Sequence, residues 1–202
     1  MPLVRYTAFF TDTSAQPDDT VARLAINIAT FLTVLCWIFL MLFLISRLTP
    51  TLRAKFVETL GDKSFFLVWL IPTVAMIMSL FFSEFLGWTP CKLCWYQRIF
   101  MYSLALLMLI YWFKRNAWLR RVGYVLAAIG APISFYHIGI EPQFSWFEES
   151  TSCNPTAPCS VPWFFSLKYL TTAGMALTAF ITIIALLYMT SKVTEKTDSN
   201  VE

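Results

Sequence analysis

The chain has 202 residues, of which 58% are hydrophobic and only 13% are charged. Soluble domains are nearly half apolar and about a quarter charged, so this composition excludes an ordinary soluble domain and predicts one polytopic membrane domain. The net charge of +3 is too small to indicate a nucleic-acid partner.

The first two predicted elements are a polar tail and an apolar helix. Residues 1–23 are polar and partly acidic, unlike the short basic start of a signal peptide. Residues 24–45 form an apolar run of about 20 positions, the length that crosses a bilayer, and predict a retained transmembrane helix. Cys36 lies in the middle of this run, where a lone thiol is expected to be a small packing residue.

Four further apolar spans follow, each bounded by polar or basic residues. The predicted first loop is 46–64, and the spans are 65–86, 95–113, 122–140 and 169–189. The expected fold is all-α, a polytopic membrane four-helix bundle core with one additional N-terminal transmembrane helix, five spans in all. The predicted parts are an extracytoplasmic tail, the extra helix, a four-helix core and a cytoplasmic tail, at 1–23, 24–45, 65–189 and 190–202.

The stretch from Trp88 to Arg98 holds a Cys-x-x-Cys pair, Cys91 and Cys94, where a polar turn meets an apolar run. Pro90 precedes the pair, and proline favours a helix start. Sulfurs at a helix N-terminus meet unpaired N–H groups and the positive end of the dipole, which favour the thiolate. Arg98 shares a helix face with both cysteines and adds a charge that favours the thiolate of Cys94. This pattern is typical of disulfide exchange, while half of a zinc site, or two inert buried thiols, stay open.

A second close pair, Cys153 and Cys159, lies in the loop between the fourth and fifth spans. Five residues, two of them proline, separate the pair, and the ends of such a restrained turn can approach to disulfide distance. The loop is acidic and aromatic. Its aromatic residues are expected in the lipid headgroup layer; they are Phe144, Trp146, Phe147, Trp163, Phe164 and Phe165.

Two more titratable residues lie near the level of the Cys-x-x-Cys pair. Glu84 is near the end of the second span and is either an interfacial charge or a proton acceptor for the thiols. His137 is the only histidine and is near the end of the fourth span. Its role, structural or functional, stays open at this point.

The distribution of basic residues predicts the orientation of the spans. Lys and Arg lie mainly in the loops at 46–64 and 114–121 and in the C-terminal tail, so these segments are expected to face the cytoplasm. The N-terminus and both cysteine loops then lie outside, where disulfides persist. The loop pair can meet a soluble protein and the fixed pair can meet a membrane-soluble acceptor, most naturally a quinone.

The order of these motifs resembles a known family. The stretch Ser83-Glu84, followed by Pro90-Cys91-Lys92-Leu93-Cys94-Trp95-Tyr96-Gln97-Arg98-Ile99, resembles the signature of the DsbB/BdbC family of bacterial disulfide-bond-forming membrane proteins. Tyr136-His137 is similar to a Tyr-His pair in that family, and Cys153 and Cys159 are similar to its second pair, at the short spacing of the BdbC branch. The resemblance covers about 65–189. The extra N-terminal helix departs from the family's four-helix core.

The resemblance implies a protein-dithiol:quinone oxidoreductase in the bacterial cytoplasmic (inner) membrane. A reduced DsbA-like thioredoxin-fold protein would be oxidised by the Cys153–Cys159 disulfide, through a mixed disulfide with Cys153. The electrons would pass to Cys91 and Cys94, and Cys94 would engage a non-covalently bound ubiquinone or menaquinone.

The resemblance also implies which side chains touch the quinone. The candidate contacts are Arg98, His137, Glu84 and Gln97. Arg98 would polarise the quinone and hold the thiolate, while His137 would hold the quinone or supply a proton. No resident metal is expected.

Three other interpretations stay open. A vitamin K epoxide reductase-like enzyme has a similar core and two cysteine pairs, but there the loop pair precedes the Cys-x-x-Cys pair, the reverse of this order. A non-catalytic zinc protein would need the four outer cysteines to converge on one metal. The same disulfide chemistry could also run in reverse and deliver reductant outward, since reduction potentials fix the direction.

Overall fold

A computed structural model of the protein describes residues 19–148, 158–167 and 169–199. Within these ranges the secondary structure is α-helical, with no β-strand, and the helices are α1 (Asp19–Ser46), α2 (Pro50–Leu80), α3 (Lys92–Lys114), α4 (Ala117–Ile140) and α5 (Thr172–Ser199). Each helix contains a segment long and apolar enough to cross a membrane. The predicted all-α fold with five spans is confirmed.

The four helices α2 to α5 form a closed ring. α2 packs on α3, α3 on α4, α4 on α5, and α5 returns to α2. α1 lies outside this ring against α5 and α2, as expected for an additional helix. At the centre, Gly130 of α4 lets the Phe180 ring of α5 pack closely, because a Cβ at position 130 would collide with that ring.

The predicted loop at 46–64 is wrong, because α2 begins at Pro50 and leaves only a short turn after α1. Proline at the first helical position needs no N–H partner. α2 has 31 residues, about 46 Å at 1.5 Å per residue, against about 30 Å of hydrocarbon. Its apolar segment is Lys63–Phe85. Hydropathy therefore detected only the part of α2 that can lie in lipid, and missed the polar first turns.

The other predicted ends differ by up to ten residues, the largest difference being at α5, which continues to Ser199 rather than ending at residue 189. α3 begins at Lys92 rather than residue 95, so Cys94 is already helical. α4 begins at Ala117 rather than residue 122, since Asn116 caps it by accepting the Trp118 N–H at 2.8 Å. α5 begins at Thr172 rather than residue 169, because Ser166 and Leu170 pair through two backbone hydrogen bonds of 2.8 Å.

The thiol end of the bundle, as we call it, is the end that carries Cys91, Cys94, His137 and Cys159. α2 reaches it through a π-helical turn, Phe81–Phe85. Gly87 follows with φ of 69°, a left-handed conformation that favours glycine, and redirects the chain toward Cys91. The opposite end of the bundle is marked by the α3–α4 turn around Arg115, whose φ is 45°.

Candidate thiol-disulfide site

The start of α3 places both sulfurs of the Cys-x-x-Cys pair together, as the sequence predicted. Cys91 is the extended N-cap residue, and its Sγ accepts the Cys94 N–H at 3.3 Å. The two Sγ atoms are 2.8 Å apart, and both cysteines are free. Disulfide formation from this arrangement requires only a small movement, because an S–S bond is about 2.05 Å long.

Several hydrogen bonds favour a thiolate at Cys91. They lower the pKa of Cys91 to about 4; the hydrogen bond from the Cys94 thiol is the largest cause, the His137 hydrogen bond and charge add to it, and burial opposes them. Sequence reasoning placed the favouring charge, Arg98, beside Cys94 instead. The structure thus identifies Cys91 as the sulfur best supplied with donors.

His137 links the two cysteine segments. Its Nε2 lies 3.7 Å from Cys91 Sγ and 3.1 Å from the backbone oxygen of Cys159. Its Nδ1 lies 3.2 Å from Gln97 Nε2. In the neutral imidazole, Nδ1 accepts from the amide nitrogen of Gln97, which can only donate, and Nε2 carries the hydrogen toward Cys91 and Cys159. In the charged form both ring nitrogens carry a hydrogen, and Nδ1 then donates to the amide oxygen of Gln97 after the amide turns over. His137 and Gln97 are both buried. The hydrogen bond from Gln97 therefore fixes the orientation of the imidazole ring.

Cys159 is part of the same buried cluster. It packs with Cys91 and Ile140, is 1% exposed, and is disulfide-bonded. Cys153 lies outside the described residues, so its predicted pairing and its role stay predictions. What the structure does show is that Cys159 lies against the Cys-x-x-Cys pair, with His137 between them.

Glu141 is a residue at the site that sequence reasoning missed, because it was counted with the acidic loop. It is 1% exposed, and its Oε2 accepts Thr171 Oγ1 at 2.9 Å and Gln143 Nε2 at 2.7 Å. Burial raises the pKa of Glu141, and the Thr171 hydrogen bond and the charge of His137 partly offset this. The available signal was its position four residues after His137, which places both on one helix face.

Arg98 is held by the end of α2. Its Nε donates to Ser79 Oγ and its Nη2 to the Ser79 backbone oxygen, both at 2.9 Å. The π-helical turn that begins two residues later changes the hydrogen-bond register, which frees carbonyl groups from their α-helical partners. No sequence pattern indicated Ser79, since its role depends on that turn. Within the described chain, Nη1 of Arg98 has no hydrogen-bond partner.

A cavity of about 440 Å³ adjoins this arginine. Cys94, Gln97, Arg98 and Ser79 line one end of it. Its volume is in the range of about 300–1,000 Å³ that is usual for small-molecule sites. The remaining wall is mainly apolar and comes from α1, α2, α3 and α5.

The four predicted quinone contacts are not all brought together. Arg98 and Gln97 line the cavity, whereas His137 lies behind Gln97 and does not line it. Glu84 does not line it either. Glu84 is exposed, in the π-helical turn, with Oε1 accepting Ser83 Oγ at 3.0 Å. This exposed position agrees with an interfacial charge, the first of the two roles considered for Glu84, rather than with a proton acceptor for the thiols.

Aromatic stacking joins the two cysteine loops. Trp88 and Trp163 are parallel with ring centroids 5.8 Å apart, and Phe164 packs on Phe82 at 5.8 Å. Trp163 and Phe164 are half-buried against rings of Phe82 and Trp88. The expectation that they lie in the headgroup layer stays a prediction. Trp146, by contrast, is 56% exposed.

The same sulfur and nitrogen atoms could hold a metal. One donor atom each from Cys91, Cys94 and His137 lies within 4.8 Å of the others, a Cys₂His set that suits zinc. Cys159 cannot complete a four-cysteine site in this structure, because its sulfur is in a disulfide.

Comparison with known proteins gives one consistent result. Residues 62–190 match the family model "Disulfide bond formation protein DsbB". Disulfide bond formation protein C of Bacillus subtilis is 38% identical over 116 residues, 57% of this chain and 83% of that protein. A probable disulfide formation protein of Oceanobacillus iheyensis is 32% identical over 126 residues, 62% of this chain and 87% of that protein.

A third relative agrees with these two. Probable disulfide formation protein C 1 of Bacillus cereus is 34% identical over 126 residues, 62% of this chain and 90% of that protein. No solved structure matches the chain significantly.

Proposed function

Since the chain belongs to the DsbB family of disulfide bond formation proteins, and is thus a membrane disulfide-forming oxidoreductase, we propose that its electron acceptor is a membrane quinone. We propose further that its electron donor is a reduced DsbA-like thioredoxin-fold protein. The observation that carries this is the position of Cys94. It touches Cys91 on one side and lines the apolar cavity on the other, while Cys159 lies within the same buried cluster.

The proposed route transfers two electrons in three exchanges. The partner's dithiol reduces the Cys153–Cys159 disulfide, through a mixed disulfide with Cys153, and leaves as a disulfide. The new dithiol then reduces the Cys91–Cys94 disulfide. Finally Cys91 and Cys94 return to the disulfide as two electrons and two protons leave for the quinone, which becomes quinol. The first two exchanges are thiolate attack on a disulfide sulfur, in which one dithiol is oxidised for each disulfide reduced. In the third, the Cys91–Cys94 dithiol is oxidised to the disulfide and the quinone is the two-electron oxidant.

Residues around the Cys-x-x-Cys pair control the protonation of its sulfurs. Cys91 is the thiolate that the Cys94 and His137 hydrogen bonds favour, and it attacks most readily in that form. His137 directs its Nε2 hydrogen between Cys91 and the Cys159 backbone oxygen. When the ring is charged, it can give that proton to the departing sulfur and stay neutral with its hydrogen on Nδ1. Glu141, four residues on, provides a buried acid near that imidazole.

The cavity fits the head of a quinone, which supplies two-electron acceptance when bound. Ser79 fixes two nitrogens of Arg98, which leaves Nη1 to donate to a carbonyl oxygen. Tyr102 also lines the cavity, and its buried hydroxyl has no hydrogen-bond partner among the described residues. A buried hydroxyl without a partner is costly, and a ligand oxygen would satisfy it. Gln97 and Arg98 are therefore the proposed quinone contacts, with His137 acting through Gln97.

The orientation is part of the proposal. The basic turns at the opposite end of the bundle would face the cytoplasm, so the thiol end and the N-terminus would lie outside the bacterial cytoplasmic membrane. We retain the division into a tail at 1–23, the extra helix at 24–45, a catalytic core at 65–189 and a cytoplasmic tail at 190–202.

Quinone reduction by the purified protein tests the proposal. A reduced thioredoxin-fold dithiol protein is added with ubiquinone or menaquinone, and the quinone's ultraviolet absorbance is followed. Turnover is expected for the native chain and is expected to vanish in Cys94→Ala, because no disulfide can then form beside the cavity. Retained turnover in Cys94→Ala would exclude the route.

Zinc binding is the second candidate function, and the Cys₂His donor set replaces the four-cysteine site considered from sequence. Metal analysis of protein purified without chelator separates zinc binding from quinone reduction. About one zinc per chain, lost in His137→Ala, together with no quinone reduction would favour it. Metal-free protein that reduces no quinone with any partner would instead favour the reverse, reductant-exporting direction.

A further inference from the structure

The helix that lies outside the family match also forms one wall of the cavity. The match begins at residue 62, after α1 has ended. Residues of α1 nevertheless line the same cavity as Cys94 and Arg98. They recur at the helical period, so they share one face of α1; they are Ala29, Leu32, Thr33, Leu35, Cys36 and Phe39.

α1 is fixed to the bundle at three levels. In the first half of α1, Thr30 Oγ1 donates to Ser166 Oγ at 2.7 Å. At its middle, Trp37 Nε1 donates to Thr178 Oγ1 at 3.0 Å. Near its end, the Arg47 guanidinium lies 4.6 Å from the centre of the Tyr188 ring. These contacts make α1 a defined wall rather than a loosely associated helix.

The α1 face carries the cavity away from the thiols along the axis of α1. From Ala29 to Phe39 is about 15 Å at 1.5 Å per residue. On the far side this length faces apolar residues of α2 and α5, among them Leu67, Ile71 and Leu186. An elongated set of apolar lining residues with polar donors at one end suits a lipid-soluble molecule with a polar head and a hydrocarbon tail.

We propose that α1 closes the quinone site against the bilayer, and that its Cys36 face packs on the isoprenoid tail of the quinone and selects for it. This inference rests on the proposed function. The quinone head would lie at Cys94 and Arg98, and the tail would run past Cys36 toward Phe39. Cys36 would then be a residue of the tail channel, where a small side chain leaves room, rather than only a packing residue.

Quinones with and without a tail test the proposal in the full-length protein. Cys36→Phe adds bulk in the channel. It is expected to raise the KM for a long-tail quinone at least about tenfold, as overpacking does, and the KM for a tail-free quinone by less than about twofold. Ile38→Phe is the matched control, since Ile38 is on the same helix, 51% exposed and outside the lining. It is expected to change neither KM.

The outcomes separate this inference from the function on which it rests. If the native chain reduces both quinones but Cys36→Phe alters both KM values equally, or neither, the α1 inference is wrong and the function stands. If the native chain reduces neither quinone, both fail. If Cys36→Phe does not fold, Cys36→Leu applies the same test with less added volume. Turnover of Cys36→Leu with the tail-free quinone then shows that the head site is intact.

Discussion

The two ends of the helix bundle bury polar groups in different ways. At the opposite end, Tyr111 is fully buried, its hydroxyl donates to Thr190 Oγ1 at 3.0 Å, and its ring packs on Phe65 at 5.5 Å. At the thiol end, His137 and Glu141 are buried beside two free thiols and an apolar cavity. The first arrangement is apolar packing with one satisfied polar pair. The second concentrates titratable groups.

This difference indicates that the opposite end mainly stabilises the fold, whereas the thiol end carries the reactive groups. Buried titratable groups and an adjacent cavity cost stability, so they persist where other parts of the fold compensate. The core around Tyr111, Phe65 and Phe180 supplies such compensation, since all three are 1% exposed or less. Substitutions at the thiol end should therefore lower activity more than stability, and substitutions at the opposite end should do the reverse.

Arg98→Ala should have the largest effect on activity among these tests. It removes the donor at the cavity, so kcat/KM for quinone should fall about 100-fold, the scale for one transition-state donor. Reduction of the Cys91–Cys94 disulfide by the partner, followed in a single turnover without quinone, should change little. Ser79→Ala should act in the same direction but less, because it releases one of the two hydrogen bonds that orient Arg98. Equal loss in both half-reactions would contradict this assignment.

His137→Ala should change the pH dependence of Cys91. In the native reduced protein, alkylation of Cys91 should be level from about pH 6 to pH 8, since a pKa of about 4 makes the thiolate complete there. Without His137 the pKa of Cys91 rises, so the pH at which the alkylation rate falls to half moves up from about 4 toward the assayed range. The rate at pH 6 should fall about tenfold for each unit by which the new pKa exceeds the pH.

Site-resolved mass spectrometry measures this rate for each cysteine, and Cys36 provides the internal comparison. Because folding lowers the pKa of Cys91, its thiolate stabilises the reduced folded protein. This stabilisation is complete above the ordinary thiol pKa of 9.0 and is lost progressively as the pH falls from there to about 4. If His137→Ala leaves the pH dependence of Cys91 alkylation unchanged, His137 does not stabilise the Cys91 thiolate.

The sequence predicted most of the fold because long apolar runs report membrane spans directly. It also placed Cys91, Cys94 and Arg98 at a helix start, since Pro90 and local spacing determine that geometry. What it missed depends on contacts between distant segments. Gln97 meets His137 across 40 positions, and Trp88 meets Trp163 from another loop. The hydrogen bonds between Arg98 and Ser79 depend on the π-helical turn at Phe81–Phe85, which hydrophobic periodicity does not predict.

Tyr111→Phe should have the smallest effect and should fall on stability alone. It removes the hydrogen bond to Thr190 but leaves the ring against Phe65, so the free energy of unfolding should fall by about 1 kcal/mol. Thr190 keeps its own hydrogen bond to the Leu187 carbonyl, at 2.8 Å, which limits the loss. Thermal unfolding in detergent measures the change, and quinone turnover should match the native chain. Lost turnover without lost stability would show that the two ends are coupled, because nothing at Tyr111 lines the cavity.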